Sequence, residues 1–262
     1  MITSFALESA GRRIDMRFDL DPEDASCRAL QYYFEHQQAP EPEVVHLLFH
    51  ALREGDVIVD GGANIGFFSV LMSKLVGPTG RVLAVEPDSH NVALLRRNLG
   101  LNRCDNVQVI EKALGSEPGE ALLGTMPDHG LTSLFYDEKE IERPVLVEVT
   151  TLDKLLGGGT ARLIKLDIEG GELAALSACP IAATEMVVME MNPECMARAL
   201  VSVADVLDCA WAFHFSPFLL HSDGSLPSLV PKNTRVVPER PNGNILLSTM
   251  STVSSMWSEV RL

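Results

Sequence analysis

Nothing in this chain reads as a membrane span, a disulfide framework or a polyanion-binding surface. No stretch approaches the roughly 20 consecutive apolar residues that cross a bilayer, and residues 1–8 lack a basic segment followed by an apolar core. Neither membrane insertion nor export is therefore expected. Cysteine is sparse and unpatterned: Cys27, Cys104, Cys179, Cys195 and Cys209 make an odd set with no Cys-x-x-Cys or Cys-x-x-His spacing. That usage predicts reduced, mostly buried thiols in a cytoplasmic chain and no structural zinc. Cations are few, 21 Lys and Arg against 36 Asp and Glu, for a formal charge of −15. Neutralising a phosphate backbone requires clustered Lys and Arg, so nucleic acid is not an expected partner. Repeats, low-complexity tracts and linkers are also missing.

What is present is enough apolar material, 46% of 262 residues, to bury a substantial core without staples, and one elaborated α/β domain is the expectation. The chain is organised around Val57-Ile-Val-Asp-Gly-Gly-Ala-Asn-Ile-Gly-Phe-Phe-Ser-Val70. A β-branched run suited to a strand covered on both faces meets Asp60, then Gly61, Gly62, Ala63, Asn64 and Gly66, and then an apolar helix. Glycines allow positive φ and close backbone approach to a ligand, and Asn is the residue that next best tolerates the left-handed region. The helix that follows presents free N-terminal amides.

Around this stretch the pattern alternates. Residues 1–20 suggest a short hairpin, 25–37 a helix, and residues 1–40 together a cap or lid ahead of a main domain at 41–262. A second strand, Arg81-Val-Leu-Ala-Val-Glu86, closes at Pro87, with a helix expected over 91–98. Glu86 stands 20 residues beyond Gly66, the offset at which a carboxylate at a strand tip can accept from ribose hydroxyls. A third strand ends at Glu111, followed by Lys112 and Ala113, where an adenine edge is expected. Residues 116–150 break the rhythm and read as an inserted hairpin or flap, within which His129 could act as a base on a substrate hydroxyl, although a lone loop histidine is more often simply solvated. The fourth strand is expected over 163–168, running into Glu169-Gly170-Gly171. The fifth spans 186–191, a helix covers 194–208, a β-like piece lies around 211–215, and a last strand covers 244–249. Strand–helix alternation with ligand-type residues at the strand C-termini predicts a doubly wound, mostly parallel sheet with an antiparallel edge.

These residues match a family. Val59-Asp-Gly-Gly-Ala-Asn-Ile-Gly66, the pair Glu86-Pro87, Thr151-Leu-Asp-Lys-Leu155, Ile164-Lys-Leu-Asp-Ile-Glu-Gly-Gly-Glu-Leu173 and Asn244-Ile-Leu-Leu247 resemble the class I S-adenosylmethionine-dependent methyltransferases, and within them the FkbM-type group, over about residues 40–250. Gly61 is a departure, since relatives more often carry a bulkier apolar residue there. The resemblance implies a seven-stranded sheet of order 3-2-1-4-5-7-6 with strand 7 antiparallel. It also implies S-adenosyl-L-methionine across the tips of strands 1 to 4, and a hydroxyl acceptor on a small molecule, sugar or glycan. The loop agrees: Asp60 suits a cofactor with a cationic tail better than a pyrophosphate, and Asn64 stands where a dinucleotide fingerprint needs glycine. An NAD-dependent oxidoreductase and a non-catalytic module that retained an adenosine pocket remain as alternatives.

For chemistry, Asp167 at the fourth strand's tip is the first candidate near the reacting centre and Glu169 the second. Lys165 points to the same side by period-2 alternation. Asp167, Glu190 and Asn192 lie at strand tips as in some metal-assisted catechol-type methyltransferases, but the Glu-x-Asn spacing differs from that family's, and no metal is expected. Assembly into a homo-oligomer is left open.

Overall fold

A computed structural model describes residues 1–125, 132–136, 143–179, 184–232, 234 and 243–258; His129 lies outside them. The chain opens as an antiparallel hairpin, β1 (Ile2–Ser9) and β2 (Arg12–Asp19), turned by Ala10 and Gly11, both at positive φ, as the right-handed twist of a two-residue hairpin requires. Helix α1 (Ala25–Glu35) starts where the Asp24 carboxylate accepts from the Cys27 N–H, and α2 (Pro42–Ala51) follows.

The βα alternation then begins: β3 (Val57–Gly61), α3 (Phe67–Val76), β4 (Arg81–Val85), α4 (Ser89–Asn102) and β5 (Val107–Ile110). Four strands form a separate piece, β6 (Ala113–Leu114), β7 (Gly119–Thr125), β8 (Thr132–Ser133) and β9 (Arg143–Thr150). Helix α5 (Leu152–Leu156), β10 (Ala161–Leu166), α6 (Glu172–Ser177), β11 (Thr184–Met191), α7 (Pro193–Arg198) and α8 (Val203–Ala212) resume the alternation. The chain then runs through β12 (Ser216–Leu219), β13 (Ser228–Leu229), β14 (Gly243–Ser248) and α9 (Met250–Ser258).

The main sheet has the order β13-β12-β14-β11-β10-β3-β4-β5. β11, β10, β3, β4 and β5 are mutually parallel, and β14 runs antiparallel between β11 and β12. Without β13 this is the 3-2-1-4-5-7-6 order. Among the described residues the sheet has eight strands rather than seven, because the short β13 adds itself antiparallel to the outer edge of β12. The expected insertion is a sheet of its own, ordered β6-β9-β7-β8.

Two expectations near the C-terminal half need correction. The single helix over 194–208 is two helices, because Leu200 sits at φ +58 and the Ser202–Asp205 capping box starts α8 afresh. Trp211, placed in a β-like piece, lies in α8, and the strand begins at Ser216. Trp211 belongs to the helix's apolar period, which a short window mistakes for alternation.

Two apolar cores flank the sheet. The first joins the N-terminal hairpin and α1 to α2, α3 and α4: Leu7, Met16, Phe18, Cys27, Leu30 and Phe34 are buried with Val44, Phe67 and Leu95. The second packs α6 and α8 against the other face, through Leu176, Val206 and Leu207 on Ile164 and Val187.

Candidate cofactor cleft and acidic cluster

The glycine turn closes on its neighbours through the backbone. The N–H groups of Gly62 and Ala63 both donate to the Val85 carbonyl at 3.0 Å. Gly62 has φ +80, and a Cβ there would stand 1.8 Å from the Asp167 carbonyl oxygen, so the tips of β3 and β10 touch at a point only glycine can occupy. Asn64 takes φ +47, and its backbone N–H donates to Glu86 Oε2 at 2.9 Å.

Glu86, 2% exposed, also accepts from the Asp88 N–H through Oε1 at 3.0 Å. A carboxylate carries about four acceptor sites, so acceptor capacity is left over. Burial pushes its pKa up to about 7, against the pull of the two backbone donors and of the Asn91 side chain, a third donor to the carboxylate.

These groups border one open cleft. Of the residues anticipated from sequence, Gly62, Asn64, Glu86, Pro87, Lys112, Ala113, Asp167 and Glu169 line it. Asp60, Gly61, Ala63 and Gly66 build the turn behind it, and Lys165 lies beneath. Glu111 turns outward to Arg96 at 3.1 Å and does not line the cleft. The small sheet adds Leu114, Leu123, Thr132, Ser133 and Leu134. None of these was singled out from sequence, where the insertion shows only weak β patterning. The Ser133 hydroxyl donates to the Glu169 carbonyl at 2.7 Å, joining that sheet to the loop after β10.

Beside the cleft lies a cluster of acids around one base. The Lys165 side chain, 1% exposed as a residue, donates from Nζ to Asp167 Oδ2 at 2.8 Å and sits 4.6 Å over the Phe68 ring. Asp60, its in-register neighbour on β3, is fully buried; Oδ2 accepts from the Ser69 hydroxyl at 2.6 Å, and Oδ1 has no partner. Burial raises the Asp60 pKa, opposed by the Lys165 charge. Lys165 itself is held well above the usual lysine range: burial opposes the charge, but Asp167, Glu41 and Asp60 outweigh it.

Glu41, half-buried at φ +43 ahead of α2, accepts from Asn244 Nδ2 at 3.0 Å; the same amide reaches Glu43 at 3.3 Å. Asn244 on β14 pairs in register with Glu190 on β11. Glu41 and Glu190 are both displaced upward, first by burial. For Glu190 the next causes are the Asp167 and Glu169 charges.

Glu169 adopts φ +54. It accepts from the Cys195 thiol at 3.0 Å, with Asn192 Nδ2 at 3.5 Å. Burial, then Asp167, pushes it up to about 7. Glu172 braces the loop by accepting from the N–H groups of Ile168 and Gly170. One oxygen from each of Asp167, Glu169 and Glu190 can lie within 4.8 Å of the others, a donor set that a hard cation could use.

The chain resembles known proteins in sequence. A family model for the methyltransferase FkbM domain matches residues 60–201. Methyltransferase 1 of Beauveria bassiana is 29% identical over 141 residues, which are 45% of this chain and 56% of that protein. Methyltransferase sdnD of Sordaria araneosa is 34% identical over 123 residues, 45% of this chain and 46% of that protein. The chain thus spans about half the length of these curated relatives. Among solved structures, methyltransferase FkbM from Methylobacillus flagellatus aligns with TM-score 0.46 and 19% identity, covering 87% of this chain and 55% of that one.

Proposed function

This chain belongs to the FkbM methyltransferase family, and from that premise we propose that it transfers a methyl group from S-adenosyl-L-methionine to a hydroxyl of a small molecule, sugar or glycan. The observation that carries this reading is one cleft bordered by Gly62, Asn64 and Glu86 on one side and by Asp167 and Glu169 on the other. A cofactor-binding turn and titratable groups suited to proton removal therefore meet in one space.

The residues fit the cofactor. Glu86 keeps free acceptor capacity for ribose hydroxyls, Leu114 and Leu123 offer an apolar wall, and the turn at Gly62 and Asn64 brings backbone to the cleft's edge. S-adenosylmethionine supplies a methyl group already activated on a sulfonium. The chain's own task is to align the acceptor and take its proton. Glu169 is the better placed base. It borders the cleft, and a carboxylate with a pKa near 7 combines availability with proton affinity at neutral pH. Asp167, tied to Lys165, serves to position.

Two expected results follow. Glu86→Gln weakens adenosylhomocysteine binding by about 1–3 kcal/mol, the worth of hydrogen bonds to a charged group. In the wild type, affinity falls as pH drops below about 7, because the free carboxyl is then protonated while the bound form accepts donors. Calorimetry across pH tests both; unchanged affinity or a flat profile removes the ribose role. Glu169→Gln lowers turnover about 10²-fold, the low end of general-base contributions, with cofactor affinity retained and the acid limb near pH 7 lost; wild-type turnover would exclude it as the base.

The acceptor itself is sought by incubating the protein with labelled S-adenosylmethionine and a host small-molecule extract and identifying the product by mass spectrometry. Binding of NADH with none of adenosylhomocysteine would support the oxidoreductase instead.

A further inference from the structure

Helix α4 carries two asparagines one turn apart, Asn98 and Asn102, and both meet the edge of β2 that does not pair with β1. Such an edge presents backbone N–H and C=O groups in need of partners. The Arg17 N–H donates to Asn102 Oδ1 at 2.9 Å, and the Asp19 N–H donates to Asn98 Oδ1 at 2.9 Å. The i, i+4 spacing of the helix thus matches the i, i+2 spacing of the strand, and the edge is covered.

Beyond that edge the two side chains part. Asn102 Nδ2 returns to the hairpin, donating to the Arg17 carbonyl at 2.6 Å. Asn98, which is fully buried, donates instead from Nδ2 to the Ile65 carbonyl at 2.8 Å. Ile65 stands inside the glycine turn, between Asn64 at φ +47 and Gly66 at φ +95. Its carbonyl lies one residue ahead of the α3 ladder, in which the Val70 N–H donates to the Gly66 carbonyl. Because Asn98 Oδ1 is taken by an N–H and Nδ2 by a carbonyl, its amide has one orientation, and it holds the Ile65–Gly66 peptide in one as well. The N-terminal segment reaches the same region twice more. The Phe18 and Phe34 rings lie 6.1 and 6.3 Å from that of Phe67, the first residue of α3. The Asp24 carboxylate lies 2.9 Å from His90 Nε2, just beyond the Glu86 strand tip.

We infer that Asn98 is a positioning residue for the cofactor: braced by the edge of β2, it fixes the Ile65 carbonyl and with it the turn that carries Gly62 and Asn64 to the cleft. The N-terminal hairpin thereby takes part in cofactor binding. Without the amide, a buried carbonyl and a buried N–H lose their partners. Gly66 lets the peptide rotate to relieve this, and rotation there shifts Asn64, whose N–H donates to Glu86. This inference rests on the methyl-transfer reading of the cleft.

The test is adenosylhomocysteine binding, measured by calorimetry on the full chain. The wild type comes first; absence of binding there overturns the methyltransferase reading, and the inference with it. Asn98→Leu keeps nearly the same volume and removes both side-chain bonds. Its affinity is expected to fall about tenfold or more, as the loss of a partner to a buried polar group predicts. Asn102→Leu is the control, because it frees the same strand edge without touching the turn. It should lower the melting temperature yet leave affinity within about twofold, as a site without shared partners does. Wild-type affinity in a folded Asn98→Leu, or equal losses in the two variants, overturns the inference. Should Asn98→Leu not fold, amide hydrogen exchange in the wild type decides. Binding and bracing are reciprocal, so adenosylhomocysteine is expected to slow the Asp19 amide more than the Arg17 amide. Equal slowing of the two overturns the inference.

Discussion

Lys165→Met is expected to lower stability by about 3–5 kcal/mol, the range for removing one partner of a buried ion pair, and to do so more at pH 8 than at pH 6. Methionine fills nearly the same volume, so the loss is electrostatic. Among the described residues the ammonium is the one positive charge facing Asp60, Asp167 and Glu41, and without it the carboxylates must be protonated or endure mutual repulsion. The sign of the pH effect follows. Acids whose folded pKa is raised, such as Asp60 and Glu41, weaken the fold as pH rises from their unfolded values through their folded ones, and removing Lys165 raises the folded values further. Urea denaturation at both pH values measures the effect. A cost below about 1 kcal/mol at pH 8 would mean that Lys165 does not balance the cluster. Adding Asp167→Asn should recover part of the loss, since neighbouring charges couple.

Gly62→Ala is expected to cost about 2–5 kcal/mol, combining the left-handed penalty for a residue with a Cβ with overpacking, and to abolish measurable adenosylhomocysteine binding. The clash, 1.8 Å to the Asp167 carbonyl oxygen, is with backbone, so no rotamer change relieves it. Relief requires the tips of β3 and β10 to separate, which breaks the bond from the Asp167 N–H to the Gly61 carbonyl at 3.0 Å and opens the cleft floor. Thermal melting and calorimetry check the two halves. Full cofactor affinity in the variant would show that this junction does not shape the cleft. Gly11→Ala is the control: φ is also positive there, but nothing stands within 4 Å of the added carbon.

How much of this was legible in the residues differs by element. The turn at Gly61 to Gly66, the strand ending at Glu86 and the segment from Lys165 to Glu172 could be read directly, because positive φ, a carboxylate at a strand tip and a buried charge each demand particular residue types at fixed local spacing. Lys165 and Asp167 face one another as period-2 alternation requires. The boundary at Leu200 was missed because the Ser202–Asp205 cap competes with a helix pattern that continues on either side. β13 was missed because two residues on an exposed edge carry no hydrophobic signature.

By itself the sequence determined the alternation of strands and helices, the glycine turn and the identity of the acids at the strand tips, since these depend on steric and periodic rules spanning a few residues. Only the tertiary structure decided that Glu41 and Asn244, some two hundred residues apart, meet beside Glu190. It also decided that Glu111 faces Arg96 rather than the cleft, and that Ser133 ties the small sheet to Glu169. Those meetings depend on how strands order themselves in the sheet, and the resulting burial, set by packing from the whole chain, raises the pKa values of Glu86 and Glu169 to about 7.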